Sequence, residues 1–171
     1  MSDEVRRLVV MRHAKAEAVA PSDHQRSLTS RGHRDAAEAG RWARTTGVLP
    51  DHAFVSTATR AHETWESFAA AAELDVRPDL DSALYSAGPD TAIAVLRTAP
   101  ADASTVMIVG HNPTMAHLVH LLDDGSADPD AFAEISAGFP TSAVAVLAVP
   151  APWSSLEIAG ARITGYHVGR G

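Results

Sequence analysis

Leu8–Glu17 reads LVVMRHAKAE, and the remainder of the chain is read outward from it. Its four leading apolar residues read as a buried strand, and they run directly into Arg12 and His13. A guanidinium and an imidazole therefore stand together where a strand stops, the place where open α/β sheets gather their ligands. The strand end holds Arg12, and an ordinary imidazole pKa lets His13 act near pH 7 as a neutral nucleophile or proton carrier.

Two more strand ends carry residues of the same kind. Ala53–Ser56 reads as a short strand. After it Ala61, Thr64, Trp65, Phe68, Ala69 and Ala72 recur at three- and four-residue spacing, which predicts an amphipathic helix with Arg60 in its first turn. Thr105–Gly110, TVMIVG, is the cleanest buried strand and ends in Gly110-His111-Asn112-Pro113, ahead of a helix from Pro113 to about Leu122. Such alternation predicts an α/β fold, a three-layer sandwich with a mainly parallel central sheet and helices on both faces. Arg12, His13, Arg60 and His111 then meet on one rim.

The other segments fill in around this frame. Ala18–Arg31 reads as a polar loop. Gly32–Thr46 reads as a helix with a small-residue face of Ala36, Ala37, Ala39, Gly40, Trp42 and Ala43, capped by Thr29 or Ser30 and closed by Gly47 and Pro50. Val76–Pro78 is expected as a brief third strand, Asp79–Pro89 as a loop, and a helix from Asp90, with Asp90 as its cap, to about Arg97. Asp123–Asp130 reads as an acidic loop and Ala143–Val149 as a strand, with Trp153–Ile158 and Ile163–His167 as edge strands. The 171 residues, without repeat or linker, fit one domain over 1–171.

Composition narrows the chemistry. The chain has no cysteine, which removes thiol catalysis, disulfides and Cys-ligated metal. No apolar run approaches the roughly 20 residues of a bilayer span, and the opening MSDEVRRL lacks the apolar core of a signal peptide, so a cytoplasmic location away from the membrane is expected. A formal net charge of −7 argues against nucleic acid as a partner, yet arginines gathered in one cleft still attract a phosphorylated molecule. Two guanidiniums and two imidazoles suit a phosphoryl group: arginine forks grip the oxygens, one imidazole attacks phosphorus, and the other donates to the developing charge. The arginines provide the positive charge, so neither metal nor other cofactor is demanded.

Three motifs in order resemble those of the histidine phosphatase superfamily, also called phosphoglycerate-mutase-like. They are Arg12-His13-Ala14-Lys15-Ala16, Ser56-Thr57-Ala58-Thr59-Arg60-Ala61-x-x-Thr64, and Val109-Gly110-His111-Asn112-Pro113. Arg26-x-Leu28-Thr29-x-x-Gly32 and Phe139-x-Thr141-Ser142-Ala143 are similar to the short SixA-type phosphohistidine phosphatases. The resemblance implies that His13 becomes phosphorylated, that Arg12, Arg60 and His111 line the phosphate pocket with Arg26 adding from the loop, and that water releases the phosphate. It also marks a departure: Ala83 stands about where many superfamily members carry a Glu as general acid, and Asp81 substitutes only if its loop turns inward. An alkoxide needs that proton badly, whereas the imidazole of a phosphohistidine can be protonated beforehand, so the loss favours a phosphoramidate or another activated phosphate over a sugar phosphate or phosphoglycerate.

Three readings follow from these residues: a phosphatase for protein phosphohistidine, a phosphatase for a small phosphorylated metabolite, and a weakly catalytic phosphoanion-binding module. Nothing in the sequence requires a dimer, so a monomer is expected. His117 and His120, three apart on a helix without an acidic partner, read as helix-surface or partly buried residues, and His24, His33, His52, His62 and His167 as structural or solvated ones.

Overall fold

The computed structural model describes residues 5–171; Met1–Glu4, the start of the segment read as free of signal features, lie outside them. Eleven regular elements are described: β1 (Arg6–Arg12), α1 (Ser30–Thr46), β2 (His52–Ser56), α2 (Thr59–Ala72), β3 (Asp79–Asp81), α3 (Pro89–Leu96), β4 (Thr105–Gly110), α4 (Thr114–Leu122), α5 (Pro129–Ala137), β5 (Ala143–Val149) and β6 (Arg162–Val168). The strands form one sheet in the order β3-β2-β4-β1-β5-β6. Pairings β1–β4, β2–β4 and β2–β3 are parallel, while β5 is antiparallel to both β1 and β6.

Strand alternation divides the core into two layers, because successive side chains leave a strand on opposite faces. Leu8 and Val10 of β1, Val106 and Ile108 of β4, and Ala145 and Leu147 of β5 pack on one face with Leu96, Leu118, Leu122 and Ile135. Val9 and Met11, Met107 and Val109, and Val144 and Val146 pack on the other with Ala39, Ala43, Trp65 and Phe68. A sheet covered on both faces needs strands apolar throughout, which is why these three read as unbroken runs. The small-residue face of α1 permits a close crossing: a Cβ on Gly40 would stand 2.2 Å from the carbonyl oxygen of Phe68 in α2.

Several boundaries differ from the sequence expectation. The third strand is Asp79–Asp81, pairing Phe54 with Asp79 and Ser56 with Asp81, rather than Val76–Pro78. An edge strand reading Asp-Leu-Asp, with Leu80 49% exposed, has no apolar run to announce it, and Pro78 has no N–H to give a ladder. Helix α3 is capped by Gly88 with Pro89 in its first turn, so Asp90 lies inside the helix and is not its cap. Trp153–Ser155 is a single 3-10 turn and not an edge strand; Trp153 is buried, with its indole N–H donating to Ala103 O at 2.8 Å. The unforeseen α5 starts at Pro129 with the Asp128 carboxylate accepting from Ala131 N at 2.9 Å. Among the described residues no helix is long and apolar enough to cross a membrane.

Candidate active site

Parallel pairing aligns the C-terminal ends of β1, β4 and β2, and the site is built where those ends leave the sheet. His13 follows β1 directly, and its backbone N–H donates to Gly110 O at 2.9 Å, locking the ends of β1 and β4 together. The next residue is tied to α2: Ala14 N donates to Thr64 Oγ1 at 2.9 Å, and that hydroxyl donates to Arg60 O at 2.6 Å. Helix α1 presses on the same segment, since a Cβ on Gly32 would stand 2.1 Å from Lys15 O. The Thr29 hydroxyl caps α1 by accepting from Gly32 N at 2.9 Å, as the sequence indicates.

The four expected residues come together. His13 Nδ1 lies 2.7 Å from Ala14 O, which assigns the proton to Nδ1 and leaves the lone pair on Nε2. The His13 and His111 rings lie 5.2 Å apart, tilted by 54°. His111 Nε2 is 2.8 Å from the Ser56 hydroxyl; with that nitrogen accepting, Nδ1 carries the proton. Arg12 Nη1 donates to Phe139 O at 3.3 Å, and Arg60 Nη1 and Nη2 donate to Asp23 O at 2.9 Å and Asp23 Oδ2 at 3.2 Å.

What these residues leave unpaired is more telling. Arg12 Nε, Arg60 Nε and His111 Nδ1 are buried and have no hydrogen-bond partner among the described residues. A buried donor without an acceptor is costly, and two of these belong to guanidiniums. The missing partner is therefore an acceptor, best a negatively charged one with several oxygens. Among the described residues no cluster of three or more His, Asp or Glu is arranged to hold a metal ion.

Burial sets the charge states. Desolvation is the largest cause that pushes the pKa of His13 down to about 3, with His111, Arg60 and Arg12 adding, against the pull of the Ala14 carbonyl. His111 is pushed down to about 4, again chiefly by burial and then by Arg60. Burial also lowers the pKa of Arg12. Both imidazoles are thus neutral at pH 7, the state the nucleophile requires, and a neutral His111 still has one N–H to donate.

Two other residues complete the site without having been foreseen. Asp23 sits on the loop between β1 and α1 and takes bonds from Arg60, from Arg26 Nε at 3.0 Å and from the Tyr85 hydroxyl, which together hold its pKa down at about 2, the Tyr85 bond contributing most. Arg26, expected in the pocket, hydrogen-bonds to Asp23 through Nε and to Glu17 O through Nη1 at 3.0 Å, and its charge adds to the lowering of the His111 pKa. Asp81 accepts from Ala83 N at 2.9 Å, capping its own 3-10 turn, and Ala83 is exposed. Neither is signalled by a motif; Asp23 had only its place in a polar loop over a strand end, and Tyr85 only its place beside Gly88. Ser142, part of the quoted Phe139–Ala143 motif, donates from its backbone N–H to the carbonyls of Arg12 and His13, each at 3.2 Å, from a left-handed conformation with φ 65°.

Comparison with known proteins gives a consistent result. The family description "Histidine phosphatase superfamily (branch 1)" matches residues 8–85. An uncharacterised protein of Mycobacterium tuberculosis is 39% identical over 162 residues, which cover 94% of this chain and 100% of that protein. A solved structure from Nakamurella multipartitia, provisionally described as the phosphohistidine phosphatase SixA, is 36% identical with a TM-score of 0.84 and 96% of each chain covered. Another from Agrobacterium tumefaciens, given the same provisional description, is 28% identical with a TM-score of 0.76, covering 95% of this chain and 97% of that one.

Proposed function

The chain belongs to the histidine phosphatase superfamily, and from that premise we propose that it is a cofactor-independent phosphatase working through a phosphohistidine at His13 and acting on phosphohistidine of a protein partner. The observation that carries the reading is the pair of buried guanidinium N–H donors, Arg12 Nε and Arg60 Nε, that have no partner among the described residues beside the two histidines, with His111 Nδ1 a third unpaired nitrogen. A phosphoryl group supplies acceptors for Arg12 Nε, Arg60 Nε and His111 Nδ1 at once, and the lone pair of His13 Nε2 is the nucleophile beside them.

In the first step His13 Nε2 bonds to phosphorus while the phosphorus–nitrogen bond of the substrate breaks, and the departing imidazole leaves with the proton it already carries. In the second, water attacks the phosphorylated His13, inorganic phosphate departs, and the imidazole returns to its starting tautomer. No carboxylic acid stands at Ala83, and Asp81 is engaged in its own turn, which favours a leaving group that needs no proton from the enzyme. Surface grooves beside Arg12, His111 and Arg26 surround the pocket, an arrangement that suits a protein domain better than an enclosed metabolite.

The test is a rapid-quench experiment with a radiolabelled phosphohistidine-bearing protein and a labelled small phosphate ester. The expected result is an acid-labile, base-stable label on His13 from the protein donor, turnover much faster than for the ester, and a loss in His13→Ala of roughly 10⁴-fold or more in kcat. Comparable labelling by the ester would replace this reading with a metabolite phosphatase. Phosphate binding without any label would leave a binding module.

A further inference from the structure

We propose that Tyr85 forms a ring-binding subsite next to the phosphate pocket and that this subsite takes the planar imidazole of the leaving group; the inference rests on the phosphohistidine reading above. An unbroken line of rings leads from the nucleophile to the surface. His13 and His111 stand 5.2 Å apart, His111 and Tyr85 5.7 Å apart at 83°, and Tyr85 and His24 4.9 Å apart at 77°. The Arg60 guanidinium lies 5.9 Å from the centre of the Tyr85 ring, so the phosphate-binding cation and the ring share one wall. Beside that wall the groove at His111 has a volume of about 380 Å³ and is lined by Tyr85, Gly88, His111, Asn112, Thr114 and His117, room for one imidazole ring presented by a protein partner.

Tyr85 is held in place before any substrate arrives. Leu84 anchors it from below in the core, its hydroxyl donates to Asp23, and Thr114 at the start of α4 donates to Ala87 O, tying the two sides of the cavity together. Holding the wall rigid avoids ordering it at the moment of binding. By the family resemblance it also stands near the leaving group, two residues after Ala83, where many superfamily members carry the general acid. Aromatic rings favour edge-to-face or offset contact at about 4.5–7 Å between centres, which His111 and Tyr85 already display. An imidazole entering beside His111 continues that packing, whereas a ringless leaving group gains nothing from it.

The experiment compares two phosphorus–nitrogen donors, phosphoimidazole and phosphoramidate, which differ in the ring. Their unequal intrinsic reactivity cancels when the ratio of kcat/KM values in a variant is divided by that of wild type. Tyr85→Leu is expected to lower this ratio roughly three- to tenfold, chiefly through KM for phosphoimidazole. Tyr85→Phe keeps the ring and loses only the bond to Asp23, so its ratio stays within about twofold of wild type. Tyr85→Gln is a second ringless variant should the leucine form not fold. A ratio unmoved in both ringless variants, or lowered as much in Tyr85→Phe, overturns the subsite while leaving the phosphatase reading intact. Wild-type protein that labels His13 from neither donor overturns that reading and the subsite with it.

Discussion

Strand β1 divides the sheet into two wings that meet the same rim in different ways. On one side β4 and β2 run parallel to β1, and their C-terminal ends hand over side chains: His111 just after β4, Ser56 at the end of β2 and Arg60 in the first turn of α2. On the other side β5 runs antiparallel, so the rim receives its N-terminal end and the loop before it. That loop supplies backbone. Phe139 O accepts from Arg12 Nη1 and from Asn112 Nδ2 at 2.7 Å, and Ser142 N bridges the carbonyls of Arg12 and His13. The parallel wing carries the reactive groups and the antiparallel wing braces them. Strand direction makes the difference, because a strand running out to the rim is followed by a helix start rich in side chains able to reach a ligand.

Breaking the parallel wing is expected to change turnover most. Arg60→Ala should lower kcat/KM by about 10²–10³-fold while the far-UV spectrum of the fold is retained, and Arg60→Lys should recover little because it lacks the planar fork. Steady-state kinetics on the two variants decides this; recovery by lysine would mean that Arg60 acts as a point charge alone.

The two depressed imidazoles give the next effect. Between about pH 6.5 and about 4 the unfolded chain takes up protons on His13 and His111 that the folded site refuses, so stability falls as pH falls through this window. Urea unfolding at pH 7, 5.5 and 4.5 should show the decline, and His13→Ala combined with His111→Ala should flatten it. An equally steep slope in the double variant would locate the cause elsewhere.

The bracing wing should respond in stability before turnover. Asn112→Ala removes the bond to Phe139 O and the one accepted from Ala116 N at 3.3 Å, at a cost of about 1–3 kcal/mol by thermal or urea unfolding. A loss in kcat/KM as large as that of Arg60→Ala would erase the division between wings. Smallest of all, Asp81→Asn should leave kcat/KM within about twofold and cost at most about 1 kcal/mol, because only the Ala83 N–H depends on it. A hundredfold loss of turnover would return Asp81 to the chemistry.

Legibility followed the same division. Arg12, His13, Arg60 and His111 were readable because each stands at a fixed step from an apolar run, and a buried strand advertises its own end. Asp23 and Tyr85 lie 62 positions apart on polar segments, and nothing local indicates that one carboxylate would hold Arg60, Arg26 and the Tyr85 hydroxyl together. Strand β3 and helix α5 escaped for a related reason: the first is a three-residue polar edge, and the second carries its signal in the Asp128 cap rather than in a long apolar stripe.

Strands β1, β2, β4, β5 and β6, helices α1 to α4 and the chemical identity of the rim are legible along the chain, since hydrophobic periodicity and short-range spacing are local properties. Which polar groups satisfy one another, and which are left without a partner among the described residues, depends on the packing of distant segments. Asp23 engages Arg60, Asp81 turns back on Ala83, and Arg12 Nε, Arg60 Nε and His111 Nδ1 remain unpaired, because hydrogen bonding between distant segments depends on how the sheet brings them within about 3 Å.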